Sequence, residues 1–143
     1  MLKIRPEQSE AFQPVADAAF VDGVVDYLRK SRPQEIVRLP GGQTTIAEIP
    51  DEILSAMVRG GIARAREYGI TWCSTLAGFV SLMFISAPNF DDHPLLKRAL
   101  FDNDTDPNGR LEKLIEDSTE QNWEAVRQAY DPSAWGLNRQ EVN

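Results

Sequence analysis

One cysteine and one histidine are all that the chain has of two residue types on which much enzyme chemistry depends. A single thiol, Cys73, excludes an internal disulfide. It lies in the most apolar stretch, where a free cysteine reads as an inert buried hydrophobe rather than a nucleophile. The lone imidazole belongs to Asp91-Asp92-His93. A hydrolytic zinc centre takes three protein ligands and an open water position, and one histidine beside two adjacent carboxylates is thin support for it. The segment reads instead as a solvated loop whose acids cap a helix starting at Pro94, with Phe90 as its apolar anchor. Ser-His-Asp chemistry would also need His93, and there is no Gly-x-Ser-x-Gly elbow. Gly41-Gly42 and Gly60-Gly61 lack the strand–turn–helix setting of a phosphate loop. The reading is a protein that is not an enzyme and takes no cofactor and no metal.

Dense Lys/Arg runs are missing too. The 143 residues carry 22 acids against 15 bases, a net charge of −7. Phosphate neutralisation dominates nucleic-acid affinity, so nucleic acid is a poor partner. The sign suits a basic protein partner, or simply solubility. The opening residues from Met1 to Glu7 have no apolar run of the secretory kind, which points to the cytoplasm, with export alongside a secreted cargo as the other route. No segment alternates polar and apolar over a useful length. Thr44-Thr45-Ile46 has β character but is too short to support a sheet.

One long stretch, Thr71 to Pro88, has no charge. About 20 mainly apolar residues are needed to cross a bilayer; this stretch is near that limit but holds several hydroxyls and a glycine, so it reads as a core helix with no membrane role. Thr71 is placed as its N-cap and Pro88 stops it. Its large side chains, including Trp72, Leu76, Phe79, Val80, Met83 and Phe84, go almost all the way round, which predicts burial on all sides. Ser74, Ala77, Gly78 and Ser81 would admit a close neighbour.

Around this centre the spacing predicts more helices. A short turn is expected near 6–12 and a main helix from about 14 to 30. Pro33 can start a short helix through Val37, followed by a turn at Leu39-Pro40-Gly41-Gly42. The cleanest amphipathic segment runs from Asp51 to Tyr68, with Leu54, Met57, Val58, Gly61, Ile62 and Ala65 on one face and Gly69 as the C′ residue. Pro94 starts a helix through Leu95, Leu96, Ala99, Leu100 and Phe101. Arg110 to Ser118 is helical, and Ser118-x-x-Gln121 resembles a capping box that either restarts a helix or lies within a longer one reaching Tyr130. The fold class is all-α: a compact orthogonal or bundle-like domain of five to seven helices around a buried central helix at about 71–86. Residues 1–132 form the single domain and 133–143 a flexible or docking tail.

Asp104, Asp106 and Asn108, followed by Gly109 and Leu111, match an EF-hand loop at positions 1, 3, 5, 6 and 8. The position-12 carboxylate is replaced by Ile115, so this is a weak calcium look-alike. The other reading is a proline turn with Asp106 or a neighbour capping the next helix. Arg59, Arg64 and Arg66 form a basic cluster that could meet an acidic partner or the chain's own acids near 102–120. Exposed apolar groups for a partner are expected in the connections: Leu39, Phe90 and Trp135. Trp135 either folds back on its own domain or docks into the partner.

The block from Arg59 to Ile70 (RGGIARAREYGI), with Phe79 to Phe84 (FVSLMF) and Pro88-Asn89-Phe90-Asp91, resembles a family of small bacterial proteins encoded among type VI secretion and polymorphic-toxin genes. The opening Ile4-Arg5-Pro6-Glu7-Gln8 and the later Leu111-x-x-Leu114 fit as well, so the likeness spans about residues 4–115. The resemblance implies a neighbourhood of spike-tip proteins and effectors rather than a reaction. The expectation is a non-catalytic adaptor or chaperone-like accessory protein for a secretion effector or spike component. The alternative is a cytoplasmic immunity protein whose acids, among them Asp102, Glu112, Glu116, Asp117 and Glu120, neutralise a basic toxin.

Overall fold

The fold is all-α. The computed structural model describes residues 13–137, with side chains from residue 18 onward; the turn expected near 6–12 lies outside them. Among the described residues the order is α1 (Gln13–Ser31), a two-stranded hairpin of β1 (Ile36–Leu39) and β2 (Gly42–Thr45), α2 (Asp51–Glu67), α3 (Cys73–Ile85), α4 (Pro94–Leu100), α5 (Pro107–Asp117) and α6 (Glu120–Gln128), with short 3-10 turns at Ile46–Glu48, Phe90–Asp92 and Pro132–Trp135. None of the described helices is long and apolar enough to cross a membrane.

The core forms where α2 crosses α3. The face of α2 read from its spacing is the one buried, from Leu54 through Ala65. A Cβ built on Gly61 would lie 2.8 Å from Met83 Sδ and 3.0 Å from Val80 Cγ2, so no larger residue fits this crossing as it stands. Close approach is thus set chiefly by a glycine of α2 rather than by the small residues of α3. At the end of α2, Gly69 takes φ +90°, a conformation that residues with a Cβ rarely adopt, and Pro107 packs against it.

The central helix is not enclosed on all sides. Leu76, Phe79, Val80, Met83 and Phe84 are buried, whereas Ala77, Gly78, Ser81 and Leu82 are half-buried and Cys73 and Ser74 are exposed. Its first turn is Cys73 rather than Thr71, and Trp72 occupies the N-cap position, 61% exposed. Thr71 instead joins α3 to α5: Asn108 Oδ1 accepts from the backbone N–H groups of Thr71 and Trp72, both at 2.9 Å, and its Nδ2 donates to Thr71 Oγ1.

The short helix expected after Pro33 is a strand. Val37 is fully buried between exposed Ile36 and Arg38, a period-2 pattern too short to stand out in the sequence. Distant side chains complete the open edge of β1. Tyr130 Oη accepts from Arg38 N, and Trp135 Nε1 donates to Arg38 O. These partners, 92 and 97 residues away, favour extended backbone over the local helical tendency. In the C-terminal half, the chain restarts at Thr119, one residue later than the expected box. Thr119 Oγ1 accepts from Asn122 N while Asn122 Oδ1 accepts from Thr119 N, the reciprocal pair that separates α5 from α6.

Candidate functional site

Two grooves on the described surface bear on the expected contact residues and on partner binding. One, of about 520 Å³, lies between α4, α5 and the start of α6. Leu96 and Leu114 form its buried floor, Leu95 and Phe101 rise on the α4 side at 49% and 57% exposure, and Ala99 lies between them. The groove exists because the short α4 and the residue after it carry five apolar side chains, Leu95, Leu96, Ala99, Leu100 and Phe101. Leu96 and Leu100 use the inward face, leaving Leu95 and Phe101 outside. Phe101 is steadied by Tyr68, 5.1 Å between ring centroids. Lys113 and Asp102 stand 3.9 Å apart on the rim. The N–H of Asp104 and the hydroxyl of Thr105 hold the Asp102 carboxyl below its ordinary pKa. Arg98 and Asp117 also line the groove.

The second groove, of about 410 Å³, lies between α1 and α2 and brings Arg59 and Arg66 together beside Asp22, Val21 and Ile62. These two expected contact residues therefore share one surface. The third member of the basic cluster does not. Arg64 points inward, donating to Pro88 O at 2.6 Å, Asp91 Oδ1 at 3.2 Å and Ala134 O at 3.3 Å. Its acid is Asp91, not one of those near 102–120, because the helix phase of Arg64 aims it at the turn after α3.

The expected exposed anchors are not exposed. Phe90 is fully buried, 4.9 Å from the Phe79 ring and 6.3 Å from that of Trp123. Leu39 is half-buried against the core. Trp135 is 3% exposed and 4.6 Å from the Phe84 ring, so it folds back, and the domain extends past residue 132 through the Pro132–Trp135 turn. Residues 138–143 of the expected tail lie outside the described residues. A 3-10 turn at Phe90–Asp92 tucks Phe90 inward, where a loop reading had left it at the surface.

The loop motifs serve the fold. Asp106 caps α5, accepting from Asn108 N, and Asn108 binds the entry to α3. Neither presents the carboxylate cage of a calcium loop, and Asp104 is exposed. His93 caps α4 through Nδ1, which accepts from Leu95 N. Asp92 pairs with Lys97 at 3.6 Å, while Asp91 is buried rather than solvated. Among the described residues, no three His, Cys, Asp or Glu side chains gather to hold a metal ion.

Two structural arginines were not singled out from the sequence. Arg29 donates to the carbonyls of Ile46, Ala47 and Ile49 and to Asp51, tying α1 to the start of α2. Arg110 donates to the carbonyls of Tyr68, Leu100 and Thr105. Each satisfies carbonyls at and between the ends of helices.

Cys73 is exposed, contrary to the buried thiol expected from its neighbours. It occupies the first turn of α3, where the helix emerges beyond the elements packed on its middle. We expect full modification of the native protein by a maleimide at the rate of an exposed model thiol. Protection that persists until denaturant is added would contradict the placement.

Compared with protein-family models, with curated proteins and with solved structures, the chain finds no match in any of the three.

Proposed function

We propose that the chain is a non-catalytic protein-binding module, an adaptor or chaperone-like accessory of a type VI secretion effector or spike component, acting from the cytoplasm. One observation carries the binding reading: Leu95 and Phe101, two large apolar side chains about half exposed, line the same groove. Scattered exposed apolar residues are ordinary, but a concave grouping with a charged rim is the anatomy of a contact site. The class of partner comes from the resemblance of residues 59–70, 79–84 and 88–91 to the secretion-associated family. The experiment is co-expression of the full chain with the products of its neighbouring genes, followed by capture at several salt concentrations. A neighbour retained at every salt concentration supports the adaptor reading; if none is retained, that reading is abandoned.

The immunity alternative rests on a neighbouring surface that shares Asp117 with the groove. Glu112, Glu116, Asp117 and Glu120 are all exposed along α5 and α6, and of these only Glu120 has an ion-pair partner among the described residues, Arg127 at 2.7 Å. Such a face would complement a basic toxin. Survival of cells expressing the adjacent toxin, with and without this chain, separates the two roles.

A further inference from the structure

We infer that the groove between α4 and α5 receives one amphipathic helix of a protein partner, with an acidic residue facing Arg98 and a basic residue facing Asp117. The inference rests on the protein-binding reading and specifies what the partner must present.

The backbone of the groove excludes the main competing mode. An extended peptide needs an open edge to satisfy its N–H and C=O groups, and the α4 wall offers none. Its last four carbonyls are all engaged: Lys97 and Arg98 accept from Phe101 N, Ala99 from Asp102 N, and Leu100 from Arg110 Nη1. A strand laid over Leu95, Ala99 and Phe101 would desolvate its polar backbone against apolar side chains without replacement bonds. A helix satisfies its own backbone and presents apolar residues at the three- and four-residue steps that such a trough accepts.

Charge then sets the flanks of the stripe. Lys113 and Asp102 face each other across 3.9 Å and largely offset one another. Arg98 on α4 and Asp117 on α5 enter no side-chain hydrogen bond or ion pair among the described residues, and both line the groove. Opposite signs on opposite walls favour a partner helix carrying both signs in one orientation and disfavour a uniformly charged ligand.

The test uses a displayed library of helical peptides about four turns long, selected on the full chain. The expected result is a consensus of apolar residues at i, i+3 or i+4, and i+7, flanked by an acid on one side and a base on the other. The Ala99→Glu variant, at a half-buried position on the groove wall, should bind the selected peptides at least about tenfold more weakly while keeping a cooperative melting transition. The Arg98→Glu variant, a surface change that leaves the core alone, should prefer peptides in which the acid is replaced by lysine. No consensus, or equal binding to wild type and both variants, overturns the inference. Concentration-dependent dimerisation abolished by Ala99→Glu also overturns it, because the occupant is then a second copy. A neighbouring gene product captured equally by wild type and Ala99→Glu removes the groove from the argument while leaving the adaptor reading intact; capture of no neighbour by either form removes the adaptor reading itself.

Discussion

Replacing Trp135 with alanine lowers the unfolding midpoint by about 10–20 °C, the equivalent of about 3–5 kcal/mol for a large aromatic removed from a packed interior. The magnitude follows from what the ring joins. Its ring centre lies 4.6 Å from that of Phe84 at the end of α3, the two rings tilted by 42°, and its indole N–H donates to Arg38 O at 3.0 Å and Tyr130 Oη at 3.2 Å. Arg38 closes the arrangement with its guanidinium 4.1 Å from the centre of the Tyr130 ring, a cation–π contact. Burial holds the Tyr130 phenol above its ordinary pKa, so the hydroxyl keeps its proton through the neutral range. One side chain thus fastens the C-terminal turn to the β1–β2 hairpin and to the core. Trp135→Phe retains most of the apolar contact and loses the two donor bonds, so its cost is about 1–2 kcal/mol. Chemical unfolding of the three proteins, followed by far-ultraviolet circular dichroism, measures the series. If Trp135→Ala costs under about 1 kcal/mol, the ring is not seated where we place it.

The parts of this fold that were legible in the sequence are those decided locally. The face of α2 repeats at helical steps, Gly69 ends it, and Pro94 opens α4, although His93 rather than the neighbouring acids caps it; α5 opens at Pro107, three residues before the expected start at Arg110, with Asp106 as its cap. The hairpin was not legible. Four-residue strands carry too few alternations to be recognised, and their completing bonds come from Tyr130 and Trp135. Nor was the exposure of individual residues. A stretch that is apolar all round predicted burial for Trp72 and Cys73, but both stand at the end where α3 emerges from its neighbours. Phe90 failed in the opposite sense, since a loop flanked by acids looks solvated until Asp91 turns inward and carries the ring with it. The groove had one visible sign: Leu95, Leu96, Ala99, Leu100 and Phe101, in and just after the short helix α4, are more apolar positions than one face can bury. Which two would remain outside depends on how α5 packs, and composition does not encode that. Arg59 and Arg66 were recognised because helical spacing alone puts them on one face of α2, two turns apart.

Asp91→Ala is expected to cost about 2–4 kcal/mol, because it leaves two polar groups without their shared partner. The carboxylate is 3% exposed. It accepts from Tyr68 Oη at 2.7 Å and from Arg64 Nη1 at 3.2 Å. Arg64 retains 29% of its side-chain exposure and its bonds to Pro88 O and Ala134 O, so water and these carbonyls moderate the loss. Combining Asp91→Ala with Arg64→Met should recover part of the stability, since the stranded cation is removed as well; a purely additive double mutant would show that the pair is not coupled. The same network predicts an alkaline effect. Burial first, and the hydrogen bond to Asp91 second, hold the Tyr68 phenol well above its ordinary pKa. A phenol with a raised folded-state pKa contributes stability that is complete below its unfolded value, near pH 10, and is lost as the pH climbs from there toward the folded value. The unfolded chain releases this proton first, so Tyr68 alone removes up to about 1.4 kcal/mol per pH unit above about pH 10. Tyr68→Phe abolishes that one-proton contribution, although it also costs stability at neutral pH through the lost bond to Asp91. Urea unfolding of wild type and Tyr68→Phe at a series of pH values gives the comparison. Equal slopes of stability against pH above pH 10 would show that the folded chain does not hold the Tyr68 proton.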